Sequence, residues 1–115
     1  MQRAAQQMDG LSLHYYTVTG WSGSKGSATD FSTDDYYWTL GKCREIEDVI
    51  KRHIAIMDKY DPQKRVGLIV DEWGTWWDEE PGTISGHLFQ QNTLRDAFVA
   101  SLTLDIFHKY TDRIK

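Results

Sequence analysis

The sequence predicts an α/β fold and, within that class, a fragment of a (β/α)8 TIM barrel holding about two βα units. Three observations predict it. Strand and helix signals alternate along the chain, which places the strands parallel with right-handed helical crossovers. The connections after the strands are long, about 17 and about 20 residues, whereas the one helix-to-strand link is short, an asymmetry expected where a site is built from the loops after barrel strands. The second strand is apolar on both faces, as in a parallel sheet covered by helices.

The first strand is Asp9 to Tyr16, DGLSLHYY, where Leu11, Leu13 and Tyr15 alternate with Ser12, His14 and Tyr16. Residues 17–31, TVTGWSGSKGSATDF, lack periodicity and read as a long loop. Ser32 and Thr33 precede Asp34 and Asp35, a cap with acidic residues in the first turn. From there Tyr36, Leu40, Cys43, Ile46, Ile50, Ile54 and Met57 recur every three to four residues, which predicts one long amphipathic helix stopped by Tyr60-Asp61-Pro62. Val66–Val70 is the buried strand, ending abruptly in Asp71 and Glu72. A loop with Pro81, Gly82 and Gly86 follows, and Asn92 or Thr93 caps a last helix with Leu94, Phe98, Leu102, Ile106 and Tyr110 on its apolar face.

A complete barrel needs roughly 250 residues; 115 residues fit one small domain or less than half of a large one. Two parallel strands and two helices can neither cover both sheet faces nor remove the sheet edges. Residues 1–115 therefore read as a quarter of a barrel, with no linker and no second domain.

Composition narrows the function. Thirteen Lys+Arg against 17 Asp+Glu give a net charge of -4, which argues against nucleic acid as a partner. The longest apolar runs fall far short of the ~20 residues that cross a bilayer, and no apolar signal segment opens the chain, so no membrane partner is expected. A lone Cys43 excludes an internal disulfide and a Cys-based zinc cage, and suits a reducing cytosol. His53, His87 and His108 lack metal-ligand spacing, and no phosphate-binding or dinucleotide-binding motif is present; no metal or cofactor is expected. Five Trp and six Tyr raise aromatic content to 13%, suited to stacking a sugar or to filling a bulky core.

Glu72 is the sharpest candidate for chemistry, because it stands at the C-terminal end of a buried strand, where barrel enzymes place catalytic groups. The alternative is a strand simply ending in solvent. Trp73, Trp76 and Trp77 follow within five residues, and indoles stack on the apolar faces of sugar rings, although loop packing explains any one of them. Strand alternation points Asp71 to the opposite, helix-covered face, toward a neighbouring backbone or Arg. Asp78, Glu79 and Glu80 read as a solvated acidic run. His14 and Tyr16 close the first strand on the face of Ser12, where a Tyr hydroxyl can orient a carboxylate. Capping explains most of Gln90, Gln91, Asn92 and Arg95, with one Gln left as a possible substrate contact.

DGLSLHYY, LIVDEWGTWW and QQNTLRDAFVASLTLDIF together resemble the C-terminal part of the catalytic barrel of family 51 glycoside hydrolases, the α-L-arabinofuranosidases. The resemblance runs from about Asp9 to the end. It implies that the strands are the sixth and seventh of eight, and that the chemistry is retaining hydrolysis of terminal non-reducing α-L-arabinofuranosyl groups of arabinan, arabinoxylan and related oligosaccharides. It implies Glu72 as nucleophile, His14 and Tyr16 in the substrate pocket with Tyr16 bonded to the nucleophile, Trp76 lining it, and Gln91 or its neighbour Gln90 nearby. It also implies homo-oligomeric full-length relatives; a cytoplasmic location is expected from the missing signal segment and the free thiol of Cys43. The family's acid/base is a Glu directly after an Asn; here the single Asn92 is followed by Thr93, so an isolated chain is expected to be inactive. Two alternatives stand beside this reading: another retaining glycosidase of the same barrel clan, or a non-catalytic sugar-binding module using Trp21, Trp73, Trp76 and Trp77.

Overall fold

A computed structural model describes all 115 residues. After a short 3-10 turn at Ala5–Gln7, the chain forms β1 (Gly10–Thr17), α1 (Thr33–Cys43), α2 (Ile46–Tyr60), β2 (Gly67–Thr75) and α3 (Leu94–His108). β1 and β2 pair in parallel as a two-stranded sheet. Its helix-covered face holds the core: Leu13, Ile46, Ile50, Met57, Val66, Leu68, Ile106 and Phe107 are buried together. Ser12, His14 and Tyr16 point to the other face. Only 20 of the 115 residues are buried. The radius of gyration is 16.5 Å, against about 13 Å for a compact domain of this length. The molecule is a layer with one covered side.

Ser32 caps α1 as the sequence predicts. Its hydroxyl accepts the Asp35 amide at 3.1 Å, and the Asp35 carboxylate accepts the Ser32 amide at 3.2 Å. The single long helix expected over 36–57 is instead two helices, broken at Arg44–Glu45. Hydrogen bonds there shorten to three-residue spacing, Arg44 to Gly41, Glu45 to Lys42 and Glu47 to Arg44. The carbonyl of Lys42 also accepts the Tyr15 hydroxyl from β1 at 3.0 Å. Because Arg44 and Glu45 keep right-handed helical dihedrals, the apolar repeat passes through the break unaltered. Periodicity alone could not reveal it.

The last helix is rotated from expectation. α3 buries Arg95, Val99, Thr103, Ile106 and Phe107, whereas Leu94 is 68% exposed and Phe98 is also exposed. A helix apolar around most of its circumference gives no single stripe to identify as the packed one. Beyond α3, the buried Arg113 guanidinium pairs with Asp61 at 2.8 Å and with Asp58, and donates to the Val66 carbonyl. This ion cluster ties the end of α2, the start of β2 and the C-terminal residues together, and Leu68 bridges to Ile114.

The register between the strands is not uniform. Ser12 pairs with Ile69, but His14 pairs with Glu72, so β2 inserts one extra residue opposite Leu13. This is a β-bulge.

Candidate functional site

The bulge decides which side chains meet. In a regular strand Asp71 and Glu72 would face opposite sides, and Asp71 was expected among the helices. The extra residue returns both carboxylates to the open face. Ser12 Oγ donates to Asp71 Oδ1 at 2.8 Å, and His14 lies between the two acids, Nε2 3.3 Å from Asp71 Oδ1 and Nδ1 3.4 Å from Glu72 Oε2. The Ser12 hydroxyl, helped by His14, holds the Asp71 carboxyl below the usual range. The Tyr16 hydroxyl donates to Glu72 Oε2 at 2.7 Å. That bond pushes the Tyr16 phenol above its ordinary value.

Tyr16, Glu72, Thr75, Trp76, Leu88 and Gln90 line a cavity of about 330 Å³. Tyr16 and Trp76 form its aromatic wall, with ring centroids 5.4 Å apart, and Trp21 packs edge-on against both, 6.2 Å from Tyr16 and 5.8 Å from Trp76. Gly74, φ +115°, sits where the strand turns toward this wall; a side chain there would be strained by backbone conformation alone. Leu88 and Gln90 are shared with a wider neighbouring hollow formed by residues of the second loop.

The expected residues divide. Glu72, His14, Tyr16 and Trp76 are brought together. Gln91 is not: its side chain is exposed and reaches only the Asn92 carbonyl. Gln90 takes the place, accepting the Trp77 amide at 3.0 Å and donating to the Thr75 carbonyl at 3.3 Å. The tryptophans divide as well. Trp73 packs edge-to-face on Phe107 at 5.3 Å, on the helix side, and Trp77 is only 3% exposed. Trp76 lines the cavity and Trp21 packs against it, so the four indoles do not share one surface.

Four further residues shape the site without any signal as ligands in the sequence. Asp96 accepts from Thr75 Oγ1 at 2.6 Å, Trp77 Nε1 at 2.8 Å and the Thr93 amide at 2.7 Å. Burial opposes ionisation of Asp96, but these bonds outweigh it and its carboxyl lies below the ordinary value. The Thr93-x-x-Asp96 spacing was the available clue, since it is a capping pattern. Arg95, 1% exposed, is sandwiched 3.6 Å from the ring centroids of both Phe31 and Trp77 and donates to the Ser27 and Ala28 carbonyls. Asp78 and Glu80, expected as a solvated run, instead accept hydrogen bonds from the loop after β1. There is no group of three His, Cys, Asp or Glu placed to hold a metal ion, and no helix is long and apolar enough to cross a membrane.

A parallel βα arrangement with a hydrogen-bonded carboxylate at a strand end, beside a cavity lined by Tyr16 and Trp76, defines the class: an α/β protein with a candidate binding pocket at the end of its strands. Comparison with known proteins makes this specific. Residues 71–115 match the family described as the alpha-L-arabinofuranosidase C-terminal domain. The chain is 76% identical over 115 residues to the intracellular exo-alpha-L-arabinofuranosidase of Bacteroides ovatus, covering 100% of this chain and 22% of that protein. The crystal structure of the GH51 arabinofuranosidase from Xanthomonas axonopodis pv. citri superimposes with a TM-score of 0.92 at 51% identity, over 99% of this chain and 23% of that one. The chain belongs to glycoside hydrolase family 51. It spans less than a quarter of the length of either relative. The matched family segment carries Glu72 and is described as a C-terminal domain, not as barrel; what the structure itself displays is a small α/β unit with two parallel strands.

Proposed function

We propose that the chain forms two βα units of a (β/α)8 catalytic barrel in a retaining α-L-arabinofuranosidase, with Glu72 as the nucleophile. The observation that carries this is the Tyr16–Glu72 hydrogen bond of 2.7 Å within an aromatic-walled cavity at a strand end. A nucleophilic carboxylate must present one oxygen to the anomeric carbon while the other is held. Tyr16 holds Oε2, and Oε1 is left to attack. His14 borders the same oxygen, and Trp76 offers its face to the sugar ring. The open sheet face, with Ile69, Glu72 and His14 on it, is the side that the barrel interior would occupy.

Hydrolysis with retention needs a second carboxyl about 5–5.5 Å from the first, to protonate the departing oxygen. Asp71 lies on the same face, but it is committed to Ser12 and His14. No Asn-Glu pair occurs among the 115 residues. The proton donor therefore comes from a different strand, and these residues alone carry half of the double displacement. Absence of such an acid costs ~10²–10⁴-fold. The substrates in this reading are terminal arabinofuranosyl groups of arabinan, arabinoxylan and their oligosaccharides. No metal or cofactor takes part, the working enzyme is a homo-oligomer, and the location is cytoplasmic, in keeping with the description of the Bacteroides ovatus relative as intracellular.

The test exchanges these 115 residues for the matching segment of the Bacteroides ovatus relative. The chimaera is expected to hydrolyse an aryl α-L-arabinofuranoside and to lose at least ~10³-fold in kcat on Glu72→Gln. The 115-residue polypeptide by itself is expected to be inactive. A folded but inactive chimaera, or clear turnover by the isolated chain, refutes the proposal.

A further inference from the structure

Two loops meet beside the cavity, residues 18–32 after β1 and 76–93 after β2. Carboxylates of the second hold the backbone of the first. Asp78 Oδ1 accepts the Lys25 amide at 3.1 Å, and Oδ2 accepts the Gly26 amide at 3.2 Å and the Ser24 hydroxyl. The Asp78 amide returns a bond to the Gly26 carbonyl at 3.0 Å. The Ser24 hydroxyl, then the Lys25 and Gly26 amides, keep the Asp78 carboxyl below the ordinary range, so the clasp is intact at neutral pH.

The held segment carries Trp21. Thr19 Oγ1 donates to the Lys25 carbonyl at 2.8 Å, closing residues 19–25 into a ring with Trp21 at its rim. Trp21 itself is 63% exposed, and its aromatic neighbours are Tyr16 and Trp76. On the other loop, Trp76 precedes Asp78 by two residues, and Lys25 Nζ stands 5.2 Å over the Trp76 ring. Asp78 thus joins the base of the Trp21 ring to the stretch bearing Trp76.

We propose that Asp78 is a positioning residue for saccharide recognition: by clasping the Ser24–Gly26 backbone it fixes Trp21 against Trp76, and so sets the fit of the wall beside Glu72 to a sugar. The inference rests on the functional reading above and deepens it. Asparagine cannot replace the carboxylate, because its single acceptor oxygen serves one side of the clasp while its NH2 would meet an N–H donor. Loss of the clasp frees the Trp21 ring without touching the core or the Tyr16–Glu72 bond. The consequence falls on binding.

In the chimaera, Asp78→Asn is expected to raise KM for an aryl α-L-arabinofuranoside roughly tenfold with kcat within about twofold, as for misplacement of a binding wall. In a Trp76→Ala background the same substitution is expected to add no further rise, since the wall it positions is gone. Ser24→Ala, which removes one of the three bonds to the Asp78 carboxylate and the acceptor of a second Gly26 amide contact, is expected to raise KM about twofold to threefold, and it decides the matter if Asp78→Asn fails to fold. An unchanged KM in the folded variants, or an equal rise with Trp76 absent, overturns the inference. An inactive unsubstituted chimaera would instead overturn the functional reading, so the two failures are distinct.

Discussion

Replacing Tyr16 by Phe removes one hydroxyl and leaves the ring against Trp21 and Trp76. The lost bond is 2.7 Å long and goes to Glu72 Oε2, whose next partner is His14 Nδ1 at 3.4 Å. A hydrogen bond to a charged group contributes about 1.5–3 kcal/mol. The Glu72 side chain is 52% exposed, so water replaces part of that contribution and the low end applies, about 1.5 kcal/mol. At 1.36 kcal/mol per decade this is about tenfold in kcat/KM. The raised Tyr16 phenol keeps its proton across the neutral range, so the bond is present wherever the enzyme would work. Steady-state kinetics of the chimaera and its Tyr16→Phe variant, with an aryl α-L-arabinofuranoside at neutral pH, measure the loss. An unchanged kcat/KM would show that Tyr16 does not orient Glu72. A loss of ~10⁴-fold would refute the reasoning from the other side, because orientation through one exposed hydrogen bond cannot supply so much.

Gln90→Ala is expected to raise KM severalfold while Gln91→Ala stays within about twofold, because only Gln90 holds the Trp77 amide and the Thr75 carbonyl beside the cavity; equal effects in the same assay would place the substrate contact elsewhere. Leu68→Ala is expected to cost about 2–5 kcal/mol, read by denaturant unfolding, since Leu68 is fully buried between strands and helices. Acid acts through Asp96. Its folded-state pKa is depressed, so its contribution is fully present above the unfolded value of about 3.9 and is lost as pH falls through the lower folded value. Melting temperature measured against pH should decline below about pH 4, and Asp96→Asn should lessen that decline; a variant with the same acid slope would contradict the assignment.

The sequence exposes elements whose signals are local. Alternation in DGLSLHYY, the apolar run Val66–Val70 and the Ser32 cap place β1, β2 and the start of α1. The face shared by Ser12, His14 and Tyr16 is correct because β1 is regular through those residues. β2 is not regular. Its bulge adds one residue and brings Asp71 beside His14, and nothing in VDEW marks where the extra residue falls. Competition between packing partners is equally hidden. Trp73 and Trp76 are alike in the sequence, yet one meets Phe107 in the core and the other Tyr16 in the cavity. Asp78 and Glu80 read as solvated acids because their partners are backbone amides more than 50 residues earlier. Gln90 and Gln91 differ only by the path of the loop.

Covalent trapping of Glu72 tests the central claim most directly. The chimaera is treated with a 2-fluoro-arabinofuranosyl donor bearing a good leaving group, then digested, and its peptides are weighed. The account predicts one fluoro-arabinosyl increment, on the peptide containing Asp71-Glu72-Trp73 and localised to Glu72, absent after Glu72→Gln. Label on Asp71 or on any other carboxylate, or inactivation that survives Glu72→Gln, would contradict it.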